Sequence, residues 1–187
     1  MKIIPFSFLA VLGLSVPSFG QAPFQPADLK VGKVEVSAPN TPEFQITGGQ
    51  TKRYKLGKWI EMEVSYDTKK PVDELTFKYT VEIEGKLLDG EVTYAAIGEG
   101  KDHYAVMYIS PKAIDALTGG KPLTPASINN VWVDVLKSGQ KMAQPTSMKS
   151  GPIPNKPHVS GYVLNKDETP FAPLYYDRYE AIKKTGR

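Results

Sequence analysis

Two stretches of the chain alternate strictly with period two, and that pattern constrains the fold more than any other feature. In WIEMEVSY (59–66), Ile60, Met62, Val64 and Tyr66 fall on one side, and Trp59, Glu61, Glu63 and Ser65 on the other. DELTFKYTVEIE (73–84) sets Leu75, Phe77, Tyr79, Val81 and Ile83 against Thr76, Lys78, Thr80, Glu82 and Glu84. Alternation rich in β-branched and aromatic residues is the mark of a strand with one buried and one wet face. The intervening DTKKPV, with a proline and charges, suits a turn.

Further strands follow more loosely. LKVGKVEVS (29–37) puts Val34 and Val36 on one face, and EFQIT (43–47) puts Phe44 and Ile46 together. KLLDGEVTYAAIG (86–98) predicts a strand from Glu91 to Ile97 after an Asp89-Gly90 turn. DHYAVMYIS (102–110) is apolar on both faces, as an interior strand is. SINNVWVDVLKSG (127–139) alternates again, and HVSGYVLN (158–165) is the last strand. None of the 16 prolines falls within 59–66, 74–84, 102–110 or 127–137, which fits because proline lacks the N–H that a ladder needs. QPTSMKSGPIPNKP (144–157) reads as an exposed, partly extended connection.

Seven or eight short strands separated by turns predict an all-β chain, an immunoglobulin-like antiparallel β-sandwich, with a small closed barrel as the alternative. Two helices are expected beside the strands. PKAIDALTGG gives a short one near 111–118, stopped by Gly119-Gly120. The C-terminal PLYYDRYEAIKK gives a second, about 173–184, with Pro173 in its first turn and Glu180 four residues before Lys184. Its wheel places Leu174, Tyr175, Tyr179 and Ile182 on one face and Tyr176 off it. A helix of about eleven residues is marginal alone in water, so it must dock. It docks either on its own sandwich or on a partner, and Phe171, Tyr175, Tyr176 and Tyr179 are the candidate partner contacts, since aromatic side chains concentrate at interface anchors.

The first twenty residues, MKIIPFSFLAVLGLSVPSFG, form a positive start, an apolar run and small residues, followed by polar QAPFQP. This reads as a secretory signal peptide cut before Gln21, leaving one domain over 21–187. There is no cysteine, so the mature fold stands on its core alone. About 167 residues suffice, because a domain of that size buries roughly two-thirds of its unfolded surface. Acids and bases interleave, 20 against 23. No basic stripe of the kind that neutralises nucleic-acid phosphate is present.

Motifs for chemistry are sparse. The only histidines are His103, in EGKDH, and His158. No nucleophile elbow, phosphate loop or dinucleotide fingerprint occurs, and no metal or cofactor is called for. The acids Glu61/Glu63 and Glu82/Glu84 belong to wet strand faces. Trp59, Trp132 and ten tyrosines leave a glycan-binding platform as an alternative function, since sandwiches can present flat aromatic faces.

YVLNKDETPFAPLYYDRYEAIK (162–183), together with DELTFKYTVEIEGKLLDGEVTY (73–94) and HYAVMYISPKAIDALTGGKP (103–122), resembles the pilus-like protein family of Akkermansia-type Verrucomicrobia, found with type IV pilus genes. The block PFAPLYYDRYEAIK carries most of the specificity. The resemblance implies an exported immunoglobulin-like sandwich, associated with a pilus or the cell envelope, and no family catalytic residue. One departure matters. A polymerising type IV pilin keeps its hydrophobic helix after cleavage, whereas here cleavage discards the only such run. The expectation is therefore a non-enzymatic, exported component that acts by protein contact with envelope or pilus-system proteins, with self-association possible, at the periplasm, outer membrane or cell surface. No nucleic acid and no stable membrane insertion are expected. A surface adhesin is the alternative, and an enzyme of unrecognised type comes third.

Overall fold

A computed structural model describes residues 23–44, 56–121 and 124–184. The expected leader at 1–20, and residues 45–47 of the EFQIT strand, lie outside the described residues. Ten strands are described: β1 Leu29–Ser37, β2 Ile60–Thr68, β3 Val72–Ile83, β4 Lys86–Ile97, β5 Gly100–Ile109, β6 Asn130–Lys137, β7 Gln140–Ala143, β8 His158–Ser160, β9 Val163–Asn165 and β10 Ala181–Ile182. One sheet has the order β1-β2-β5-β9, and the other β10-β4-β3-β6-β7 with β8 also on β4.

That order is the immunoglobulin arrangement. β1, β2 and β5 take the places of strands A, B and E, while β4, β3, β6 and β7 take those of C′, C, F and G. β9 lies beside β5, where strand D stands in such a sandwich. The pairings among these strands are antiparallel. β8 runs parallel to β4, so the larger sheet is mixed rather than purely antiparallel.

Period two does its expected work in β2 and β3. Ile60, Met62, Val64 and Tyr66 from β2 meet Leu75, Phe77, Tyr79, Val81 and Ile83 from β3, all buried in one core. At roughly 1.5–3 kcal/mol for each large apolar side chain removed from water, this layer is the main source of stability. Two tyrosines tie the sheets through polar atoms. The Tyr79 hydroxyl donates to the Ala105 carbonyl at 3.0 Å, and the Val106 N–H donates to the Tyr94 hydroxyl at 3.1 Å. Each bond satisfies a group that would otherwise be costly to bury.

The first helix, α1 Pro111–Thr118, forms where expected. Ser110 caps it by accepting from the Ala113 N–H, Pro111 occupies the first turn, and Gly119 at φ 66° ends it. Two other expectations need correction. The β3–β4 hairpin turns at Glu84-Gly85, with φ 47° and 74°, not at Asp89-Gly90. Two consecutive positive φ values are what a tight hairpin of this hand requires. Gly90 lies inside β4 instead, where a Cβ would come within 2.6 Å of the Val163 side chain. The missing side chain lets β9 pack across.

The second correction is the C-terminal helix. Residues 171–180 form a succession of turns, followed by β10. Ala172 N–H bonds to Thr169 O, Leu174 to Phe171 O and Arg178 to Tyr175 O, each spanning three residues rather than four. Tyr175 sits at φ 51° in the left-handed region, which breaks any continuing right-handed helix. A helix this short gains little by itself. The chain instead places its aromatic residues and closes with strand pairing, Ala181 against Ala95 and Ile182 against Tyr94.

Candidate functional site

The alternation that fills the core also builds the outer face of the β1-β2-β5-β9 sheet. Trp59 and Glu63, at or on β2, and Tyr104, Val106 and Tyr108 on β5, project away from the core. Wet-face tryptophan and tyrosine would be unfavourable here, yet Trp59, Val106 and Tyr108 are buried. The C-terminal tail covers them. Phe171 stacks on Tyr108 at 4.8 Å between centroids and meets Trp59 edge-on at 5.6 Å. Trp59 meets Tyr108 edge-on at 6.3 Å, completing an aromatic triad, and its Nε1 donates to Thr41 Oγ1 at 3.1 Å. This explains why DHYAVMYIS is apolar on both faces.

Charge then fixes the tail. Arg178 donates through Nε and an Nη nitrogen to Glu63 at 3.2 and 2.6 Å, while its guanidinium lies 3.5 Å from the centre of the Tyr104 ring. The Tyr179 hydroxyl donates to Glu63 at 2.5 Å. Bidentate, charge-assisted bonds of this kind carry geometric specificity. Glu63 strengthens the charged form of Arg178, and burial together with Glu63 pushes the Tyr179 hydroxyl up. Lys166 is buried, donates to the Ala172 carbonyl at 2.8 Å, and lies 5.3 Å from the Tyr179 ring. Burial holds its ammonium below the ordinary lysine range. Farther along, His103 Nδ1 lies 2.9 Å from Glu180, and its ring stacks on Tyr66 at 5.2 Å.

The expected contact residues therefore divide. Phe171 and Tyr179 face inward and hold the tail. Tyr175 and Tyr176 stand in solvent at 66 % and 82 % exposure, so Tyr175 does not share a face with the half-buried Tyr179 as the helical wheel expects. Helical spacing does not apply to a run of turns, so the wheel misplaced Tyr175. Sequence reasoning also missed Glu63, Arg178 and Tyr104 as the tail's anchor. The visible signal was Trp59 on an otherwise wet face, which required a cover.

Beside Tyr175 the tail leaves a cleft of ≈ 480 Å³ against the end of β1 and β2, walled by Pro39, Pro42, Leu174, Tyr175 and Glu61. Glu61 accepts from Ser37 Oγ at 2.9 Å. A second concavity, of ≈ 550 Å³, runs along β1 past Val36, Ile128 and Met148. Next to it the side chain of Asn130 accepts from the Met148 N–H and donates to Lys149 O, and Trp132 donates to Gly151 O. The 144–157 connection is therefore fastened to β6 over its first half, and it presents Met148 at 62 % exposure.

No catalytic constellation is assembled among the described residues. No group of three His, Cys, Asp or Glu there is placed to hold a metal ion. His158 Nδ1 pairs with Asp89 at 2.6 Å on a solvent-facing strand. No described helix is long and apolar enough to cross a membrane.

A protein-family model matches residues 20–186. No curated protein matches the chain. The crystal structure of a protein from Akkermansia muciniphila aligns with a TM-score of 0.72 at 24 % identity, covering 84 % of this chain and 94 % of that one. A likeness at that identity concerns the fold.

Proposed function

We propose a contact function for this chain, which belongs to the family whose model spans nearly its whole length: it is an exported, non-enzymatic component of a cell-envelope or pilus-like assembly. The observation that carries the reading is the pair Tyr175 and Tyr176, held out at 66 % and 82 % exposure by a tail whose other aromatic residues are bound down. Exposed tyrosine supplies large contact area at low entropic cost, and the anchored loop has already lost the freedom that binding would otherwise take from it. Tyr175 also keeps a left-handed backbone that a glycine would hold with less strain.

Export is supported by the leader-like start of the sequence, and the pilus association by the resemblance of the 162–183 block. The discriminating variant is Tyr175→Ala/Tyr176→Ala, because removing the whole tail would also uncover Trp59 and Tyr108. In a pull-down from envelope extract, the native chain is expected to recover pilus-system proteins and the double variant to lose them. Equal recovery by both moves the contact elsewhere. Recovery of glycoproteins instead, with binding to immobilised glycans, favours the adhesin reading.

A further inference from the structure

Given that contact function, we propose that the cleft between Tyr175 and Glu61 receives a lysine or arginine side chain, presented by an extended basic segment of the partner protein.

The face already contains a filled example of this recognition. At Glu63 and Tyr104, a carboxylate and a tyrosine ring hold one guanidinium, that of Arg178, which lies 3.5 Å from the ring centre and donates twice to the carboxylate. Glu61 is two residues away on the same face of β2. It therefore points the same way, one step nearer the strand's start. It shares its cleft with the exposed ring of Tyr175. Here too a carboxylate and a tyrosine line one space, and among the described residues no lysine or arginine bridges to Glu61, whose side chain accepts from Ser37 Oγ. Arg178, the cation that borders this cleft, is committed to Glu63. The cleft is thus lined by a carboxylate and an aromatic ring, while Arg178 on its border is bonded to Glu63.

Ring and carboxylate together select a cation. An aromatic face attracts one through its quadrupole, and a carboxylate beside it adds a charge-assisted bond. Pro39, Pro42 and Leu174 give the cleft an apolar side, beside the polar Asn40 and the Glu63–Arg178 pair. They suit the methylene stem of a lysine or arginine, which buries along apolar surface while its head stays polar. An acidic segment would place like charge against Glu61.

A labelled alternating Pro-Lys peptide of about eight residues, extended because proline favours that form, tests this against Pro-Glu and Pro-Gln counterparts by fluorescence polarisation. The lysine peptide alone is expected to bind, weakening as salt rises. Glu61→Gln and Tyr175→Ala should each weaken it by about tenfold or more. Glu91→Gln, an acid on the other sheet, should leave it unchanged. Circular dichroism confirms that each variant is folded. Equal binding of the Pro-Glu peptide, insensitivity to both variants, or no binding up to about 1 mM overturns the proposal. A concentration-dependent dimer that disappears in Glu61→Gln overturns it in favour of a second copy as occupant. If the peptide fails while Tyr175→Ala/Tyr176→Ala still loses its envelope partners, the contact function stands and the cation is wrong.

Discussion

The ring of Phe171 lies parallel to that of Tyr108, 6° between planes and 4.8 Å between centroids. A residue near the C-terminus thus completes the packing of the fifth strand, over the face turned away from the core. Removing it should do more than loosen a tail. Phe171→Ala is expected to cost about 3–5 kcal/mol if the site does not collapse, the usual range for a buried phenylalanine. Urea unfolding measures the loss. Trp59, which touches Phe171 edge-on, should shift its emission to longer wavelength in the native state.

Gly90 should resist substitution. Its position in β4 leaves room for Val163 of β9, and an added Cβ would meet that side chain at 2.6 Å and Met107 at 3.0 Å. Gly90→Ala is expected to destabilise by about 1–3 kcal/mol, as overpacking does. Val163→Ala should recover part of that loss when combined with it. The coupling, read from a double-mutant cycle, distinguishes this close approach from a general glycine effect.

Tyr175 separates stability from contact. Its side chain is 66 % exposed and its φ is 51°, so little burial is lost with the ring while a strained backbone is relieved. Tyr175→Gly should leave thermal stability unchanged or raise it by up to about 1 kcal/mol. The same variant should lose partner recovery. A clear fall in melting temperature would show that the ring is structural.

Acid should release the tail and its linker. The Lys183 ammonium holds the Glu74 carboxyl below its usual 4.5, chiefly through their hydrogen bond, and Lys156 does the same for Glu82. A carboxyl whose pKa is lower in the folded state contributes stability above the unfolded value. That contribution is lost as pH falls through the folded one. Both pairs should therefore hold at pH 7 and fail in acid, as pH falls past the ordinary carboxylate value and through the lowered folded-state one. Amide exchange of Lys183, bonded to Thr93 O, and of Leu87, bonded to Pro157 O, should accelerate there relative to amides at the centre of β3. Uniform acceleration across the chain would mean that the whole sandwich melts instead.

Much of the sandwich was legible because its information is local. In β2 and β3 each residue's side is decided by its neighbours, and Ile60 to Tyr66 and Leu75 to Ile83 fall inward as alternation requires. Proline likewise marked what could not be a central strand. The tail was not legible for the opposite reason. Its conformation depends on Glu63, more than a hundred residues away from Arg178, and on a ring from β5. Local cues, a proline, an i,i+4 pair and apolar spacing, all pointed to a helix. Satisfying the aromatic triad and Glu63 required turns. Of the four tyrosine and phenylalanine contacts read from the sequence, Phe171 is buried and Tyr179 half-buried, while Tyr175 and Tyr176 are exposed.

The long-range pairing of β8, β9 and β10 with strands made far earlier has a consequence for the order of assembly. A chain synthesised from its amino end presents the flanks of β4 and β5 bare until residues 158–182 have emerged. Bare flanks invite pairing with other chains. Completion must therefore be a late event, and a nascent or truncated copy is the form most exposed to aggregation.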